Sequence, residues 1–258
     1  MENDSRKDSL LMKILVVNGS PHGKKGNTNI LQKAFVVGAS EEGASVEEIF
    51  LNSKKIRPCL GCSACWVKTP GTCVQKDDQS EILEKIKWAD TLVLATPLYV
   101  DGMTSQAKAF IDRLIPMGNP EFVLLDGHCR HPILGDRLTR FALISNCGFH
   151  ELDNFDALIF HCRRMCLNLG SEYAGHLLRP HGPILAYADV MPEAVGKVLE
   201  AANQAGRELV RSGEISQSTM SAVSAELVTK EVYVEMVNSF FRNEKEKAAS
   251  ETCVFETA

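Results

Sequence analysis

The pattern of apolar and polar positions divides the chain into alternating strands and helices. Short runs rich in branched and aromatic residues lie at 13–17 (KILVV), 46–51 (VEEIFL), 91–96 (TLVLAT) and 141–146 (FALISN), and a further strand is expected between 171 and 178. Between them the apolar period changes to that of a helix. Ile30, Leu31, Ala34 and Phe35 form one stripe; Met103, Ala107, Phe110, Ile111 and Leu114 form a second, with Lys108, Asp112 and Arg113 off it. Phe155, Leu158, Ile159, Cys162, Met165, Cys166 and Leu169 make a third, and Val195, Val198, Leu199, Ala202 and Leu209 a fourth within 192–211. Asp77 and Asp78 read as an acidic helix start. Residues 118–137, rich in glycine and proline, read as an irregular loop.

Strands alternating with helices predict an α/β fold, a doubly wound five-stranded parallel sheet with helices on both faces and a C-terminal helical extension. The expected organisation is a flexible leader over 1–12, one sheet domain over 13–212 that carries a cysteine segment at 57–78, and a helical tail over 213–258. The tail's stripe of Tyr233, Met236, Val237, Phe240 and Phe241 suits docking on another subunit as well as packing on its own chain.

The first strand runs into a loop whose composition changes abruptly. Residues 18–29 hold three glycines, three asparagines, a proline, a serine and a threonine before the helix begins. Such a loop converges backbone N–H groups on a helix N-terminus, where negative charge is favoured. A Walker loop is excluded, because residues 19–25 are one residue short and place Lys25 where a magnesium-binding hydroxyl is needed. The dinucleotide fingerprint is excluded as well, because the second strand ends at Asn52 rather than at an acid. What remains is a monophosphate cradle of the Ser20 and Thr28 hydroxyls and the Asn27 and Asn29 amides, or a plain βα turn capped by Asn27 or Thr28.

Composition narrows the class. The 258 residues, 28.4 kDa, allow one large core. A net charge of -5 without a basic block argues against nucleic acid. No apolar run reaches the length of a membrane span, and the polar start is unlike a signal peptide, so a cytoplasmic protein is expected. Nine cysteines in that compartment point to metal or redox chemistry rather than a disulfide framework.

Two further stretches carry chemistry. PLYVDGMTSQAKAFIDR follows the third strand, and its backbone together with Leu98 and Tyr99 can wall a planar heteroaromatic ring. Cys59, Cys62, Cys65 and Cys73 follow C-x2-C-x2-C-x7-C, in which three close thiols wrap one corner of a cluster and the Pro70-Gly71 turn returns the fourth. The compact form favours iron–sulfur over zinc. The alternative is four reduced thiols beside the crevice.

GSPHGKKGNTN, CLGCSACW with GTCVQKDD, and PLYVDGMTSQAKAFIDRL, in that order, resemble the NAD(P)H-dependent FMN reductase branch of the flavodoxin-like proteins, most closely its iron–sulfur flavoprotein subgroup, over 13–178. The resemblance implies FMN as cofactor, with its phosphate at Ser20, His22, Asn27, Thr28 and Asn29. Its ring would lie beside Pro97, Leu98, Tyr99, Val100, Gly102, Asn146, Cys147 and Gly148. It implies NAD(P)H as electron donor, a small-molecule acceptor such as a quinone, flavin, nitro or azo compound, and a homodimer or homotetramer. The alternative it carries is an electron carrier with FMN and a [4Fe–4S] cluster on Cys59, Cys62, Cys65 and Cys73, exchanging electrons with ferredoxin-like partners. A third class is a flavin-sensing interaction protein.

Other residues read as less active. Cys162 and Cys166 belong to an apolar helix face, and Cys147 suits packing more than flavin contact. His128, Cys129 and His131 lack a matching fourth metal ligand, while His176 and His181 read as surface or loop residues. No acid–base residue stands out. Asp101 is the nearest, and it also suits a turn.

Overall fold

The computed structural model describes residues 11–133 and 138–255. The predicted leader falls almost wholly outside that span, as do residues 134–137 of the loop expected over 118–137. The chain forms two compact units, Met1–Ala225 and Glu226–Ala258.

Five strands form the sheet of the first unit: β1 (Lys13–Asn18), β2 (Ser45–Phe50), β3 (Thr91–Pro97), β6 (Arg140–Asn146) and β7 (Glu172–Arg179). They lie in the order β2-β1-β3-β6-β7, every neighbouring pair parallel. Two short strands, β4 (Val123–Leu125) and β5 (His128–Arg130), make a separate antiparallel hairpin. This corrects the irregular reading of 118–137. Three-residue strands are too short to show a period in sequence, and this pair is extended by a bridge between Gly118 and Ile133.

The crossovers between parallel strands are α1 (Asn27–Glu41), then α2 (Ala64–Val67) with α3 (Gln79–Trp88), then α4 (Ser105–Asp112), and α5 (Asp156–Leu169). After β7 come α6 (Pro192–Ser212) and α7 (Gln217–Val223). Side chains alternate across a strand, so the apolar runs feed both faces. Leu15, Val17, Leu92, Leu94, Phe141 and Leu143 pack with Ile82, Phe110 and Cys162 from α3, α4 and α5 and with Phe155 from the turn that leads into α5. The opposite face, which carries Val16, Val93 and Ala142, is covered by α1 and α6.

These two helices touch through glycine. A methyl group on Gly206 would sit 2.1 Å from the Phe35 carbonyl oxygen, and one on Gly38 would sit 1.9 Å from that of Asn203. Only hydrogen fits at either position. Ion pairs of Arg207 with Glu41 and of Arg211 with Glu42 flank the contact.

The second unit is one long helix, α8 (Lys230–Phe255). It carries internal pairs between Arg242 and Glu235 and between Lys247 and Glu244, and the Phe240 and Phe241 rings meet edge to face. No helix among the described residues is long and apolar enough to cross a membrane.

Candidate active site and cysteine centre

In a parallel sheet every strand delivers its C-terminal loop to the same edge, so the loops after β1, β3 and β6 meet there. Asn18 ends β1 fully buried. Its amide donates to Gln32 Oε1 at 2.6 Å, and Gln32 in turn donates to Glu48 on β2. The other end of the Asn18 side chain accepts the Ser20 N–H at 2.8 Å, which fixes the start of the loop.

α1 opens at Asn27 with Gly26 as its N-cap, and no side chain caps its first turn. The turn capped by Asn27 or Thr28 is therefore replaced by a bare one. A methyl group on Gly26 would come within 2.7 Å of Ser20 Oγ. The glycine thus lets the serine hydroxyl approach the helix end closely, and His22, Lys24 and Lys25 of the same loop are exposed. Thr28 is buried and donates to Asn146 Oδ1 at 2.6 Å. Asn29 turns its amide to the Lys24 carbonyl and leaves its own oxygen buried without a partner among the described residues.

The second loop is tied to the first. Thr104 caps α4 through the Ala107 N–H and donates its hydroxyl to the Gly19 carbonyl at 2.6 Å. Between Pro97 and Thr104 the chain reverses in a turn closed by reciprocal backbone bonds of Tyr99 and Gly102. Val100 and Asp101 both sit at positive φ, 47° and 60°. Such a backbone is costly for a β-branched residue. Val100 is 99% exposed, and Tyr99 presents half its surface above half-buried Leu98. Asp101 is a turn residue.

Asn146 joins all three loops. Its side chain accepts from Thr28, its carbonyl accepts the Leu98 N–H at 2.8 Å, and Gly182 packs directly on it. Cys147 is buried and donates to the Phe149 carbonyl; burial pushes its thiol above the usual range. Behind it, fully buried Arg179 donates to the carbonyls of Pro180 and Val223 and to His181 Nε2 at 2.7 Å. His150 stacks on His181 with ring centroids 4.6 Å apart.

His181 is thus a core residue, which corrects its surface reading. Burial first, then the charges of Arg179 and His150, push it down to about 3, so its ring is neutral and accepts from the guanidinium. Burial lowers Arg179 to about 10. Half-buried His176 is likewise pushed down to about 4 by burial and Arg163.

The cysteine segment is a loop pinched at its neck. Asp77 accepts the Arg57 and Gln79 N–H groups and the Arg113 guanidinium, Asp78 accepts the Lys55 N–H, and Gln75 donates to the Pro58 carbonyl. Beyond the neck Cys59, Cys62, Cys65 and Cys73 line one cavity of about 60 Å³. Gly61 donates its N–H to Cys59 Sγ at 3.5 Å. Burial, then the proximity of Cys73, Cys59 and Cys62, pushes the Cys65 thiol up.

Among the described residues no three Cys, His, Asp or Glu side chains close on a point that would hold a single ion. The cavity's lining contains no carboxylate, but it does contain Arg113. That arginine is 1% exposed, and its Nε and Nη2 lack partners among the described residues. Burial pulls its guanidinium down, and the Asp77 and Cys73 interactions more than offset this. A thiol-lined cavity with a buried cation and unspent N–H donors fits an anionic thiolate-ligated cluster.

A larger cleft of about 610 Å³ adjoins the cysteine loop, lined by Trp66, Ile111, Leu114, His131, His161 and Met165 among others. Trp66 donates to the Ile115 carbonyl and stacks obliquely on His131, which also meets Phe122 of the hairpin stem.

The sequence between Met12 and Leu124 carries the glycine loop, the cysteine loop and the Tyr99 turn in one register. Residues 12–124 match the NADPH-dependent FMN reductase family. The match to the FMN reductase model ends before the Asn146 loop. An iron–sulfur flavoprotein of Archaeoglobus fulgidus is 39% identical over 108 residues, 42% of this chain and 48% of its own length. The chain spans about half the length of the curated relatives it matches. An FMN-dependent NADH-azoreductase from Bacillus anthracis, solved in complex with FMN, superposes with a TM-score of 0.55 at 21% identity, over 75% of this chain and 99% of that one. An NAD(P)H:quinone oxidoreductase from Methanothermobacter marburgensis gives 0.56 at 16% identity, over 78% and 98%. Both establish the flavodoxin-like fold.

Several residues that build the site carry no sequence motif. Asn18 and Gln32 sit within a strand and a helix stripe, and Asp77 resembles any N-terminal acid. Arg113 falls off the apolar stripe of α4 yet is buried, contrary to the pattern. Thr104 was findable, since a threonine three residues before Ala107 has N-cap spacing.

Proposed function

We propose that the protein is a cytoplasmic FMN-dependent oxidoreductase. Bound FMN would accept a hydride from NAD(P)H at N5 and give electrons to a small acceptor such as a quinone, a flavin or an azo or nitro compound. The observation that carries this reading is the joining of three strand-end loops at Asn146 beside the uncapped start of α1.

The Ser20 hydroxyl and the first N–H groups of α1 would bind the phosphate, with exposed His22 and the closely packed Gly26 beside them. The bond from Thr28 to Asn146 holds that helix start against the ring end, while Asn29 fastens the loop internally. Pro97, Leu98, Tyr99, Val100 and Gly102 form one wall for the ring, and Asn146, Cys147 and Gly148 form the other. Neutral His181 and the protonated Cys147 thiol leave Arg179 as the buried charge behind Asn146. Exposed Phe122, Leu124 and Leu125 on the hairpin supply apolar surface for a homodimer or homotetramer.

The test is reconstitution with FMN, followed by anaerobic addition of NADPH or NADH. Bound flavin whose absorbance bleaches near-stoichiometrically supports the reading. Protein that holds no FMN after reconstitution overturns it.

The cysteine cavity favours a second reading, in which a [4Fe–4S] cluster on Cys59, Cys62, Cys65 and Cys73 would exchange single electrons with FMN and with a ferredoxin-like partner. Four thiols lining one cavity with buried Arg113 support it. Anaerobic reconstitution with iron and sulfide should give about four irons per chain by the ligand count, and Cys62→Ala should abolish the broad visible absorbance. Four freely titratable thiols after that treatment would remove this reading.

A further inference from the structure

A buried arginine normally spends all its donors. Arg113 does not. Asp77 takes Nη1, as does the Arg57 carbonyl at 3.2 Å, leaving Nε and Nη2 buried without a partner among the described residues. The side chain stands at the wall of the cavity that the four cysteines share. It is anchored behind by a carboxylate that is itself 4% exposed, and α4 is held there by Gln79, which donates to the Phe110 and Arg113 carbonyls. The guanidinium is therefore fixed from the protein side, and its remaining N–H groups are left for the thiol side, where Cys73 is the cysteine it interacts with.

We propose that Arg113 is a positioning residue of the cysteine centre: Asp77 aims its free N–H groups at the sulfur of Cys73, so that the buried cation sets the centre's reduction potential. This rests on the second reading above, that the four cysteines hold an iron–sulfur cluster.

The electrostatic argument is direct. One-electron reduction adds a negative charge to an already anionic thiolate-ligated cluster and breaks no bond. Asp77 stands behind the arginine and outside the cavity lining, so the positive end of the pair is the one nearer the thiols. That charge favours the reduced form, and hydrogen bonds to a ligand sulfur act in the same direction. Removing Arg113 should therefore lower the potential. Arg57 offers a built-in contrast. Its guanidinium nitrogen also lies 3.7 Å from Asp77, but on the solvent side, where the arginine is 63% exposed and its charge is screened.

The experiment is a dye-mediated spectroelectrochemical titration of the iron-loaded full chain, with dithionite as reductant, on the unaltered protein, Arg113→Gln, Arg113→Lys and Arg57→Gln. Iron and sulfide content are measured first. Failure of the unaltered protein to load iron overturns the cluster reading and this proposal together. With loading established, the expected result is a tenfold or greater loss in the reduction equilibrium for Arg113→Gln, which is about 59 mV for one electron. Arg113→Lys, which keeps the charge but loses the fork, should fall between, and Arg57→Gln should stay within twofold of the unaltered protein. If Arg113→Gln does not fold, the lysine variant carries the test. A loaded Arg113 variant with an unchanged potential, or an equal shift in Arg57→Gln, overturns the role of Arg113 while leaving the cluster in place.

Discussion

The Thr28 hydroxyl donates to the Asn146 carboxamide oxygen across 2.6 Å, joining residues 118 apart in sequence. It links the first turn of α1 to the end of β6, and Asn146 passes the constraint to the Tyr99 turn through the Leu98 N–H. Thr28→Val keeps the shape but leaves the Asn146 oxygen buried without that donor. The expected cost is about 1–3 kcal/mol in urea unfolding, with weaker FMN binding because the helix start is no longer registered against the ring loops. Unchanged stability and unchanged FMN affinity would show that the bond does not organise the site.

In the proposed FMN site, replacing Ser20 would separate phosphate recognition from ring recognition. Losing one hydroxyl donor to a charged phosphate is worth about 1.5–3 kcal/mol. Ser20→Ala should thus weaken FMN binding by tenfold or more in a fluorescence titration, while riboflavin, which lacks the phosphate, binds as before. An equal loss for both ligands would locate Ser20 at the ring end instead.

Gly206 tests the packing of α6 on α1. A methyl group 2.1 Å from a backbone oxygen cannot be absorbed by a side-chain rotation, so the helices must separate. Gly206→Ala should destabilise the protein by about 3 kcal/mol, at the upper end of overpacking costs, read as a lowered thermal midpoint. An exposed helix position would instead gain slightly from the same change.

His181 and His176 make stability depend on pH. Their folded-state values, about 3 and about 4, lie below the ordinary 6.5, so between those limits the unfolded chain binds more protons than the folded one. Stability is full above pH 6.5 and falls as the pH drops toward the folded values, each histidine costing up to about 1.4 kcal/mol per pH unit. Urea midpoints between pH 7 and 5 measure the slope, and His176→Gln should flatten it by up to one proton. Burial pushes Asp77 up, but Arg113 and the Arg57 and Gln79 N–H groups together outweigh it and hold the carboxyl low, so it contributes in the same direction further down, below the ordinary 3.8 of a carboxyl.

The strands and most helices were legible because their signals are local. The run from Lys13, the proline closing β3 and the apolar period of α5 each follow from neighbours in sequence, and the parallel order follows from their alternation. The glycine loop was legible for the same reason, although its cap is Gly26 rather than a side chain. The β4–β5 hairpin was not, since its extended backbone is completed by contacts made elsewhere, through Gly118, Trp66 and His131.

For this chain the sequence by itself determined the sheet, its loops and the thiols available for chemistry, because period, punctuation and residue type are properties of short segments. Only the tertiary structure decided the meaning of the polar residues. Arg113 sits off an apolar stripe and would be solvated on an isolated helix; it is buried because the neck of the cysteine loop brings Asp77 to it from 36 residues away. His181 follows a strand end and reads as a loop residue, yet Arg179 and His150 enclose it and hold it neutral. A buried polar group is stable only where its partner is supplied, and for these residues the fold supplies the partner across the molecule.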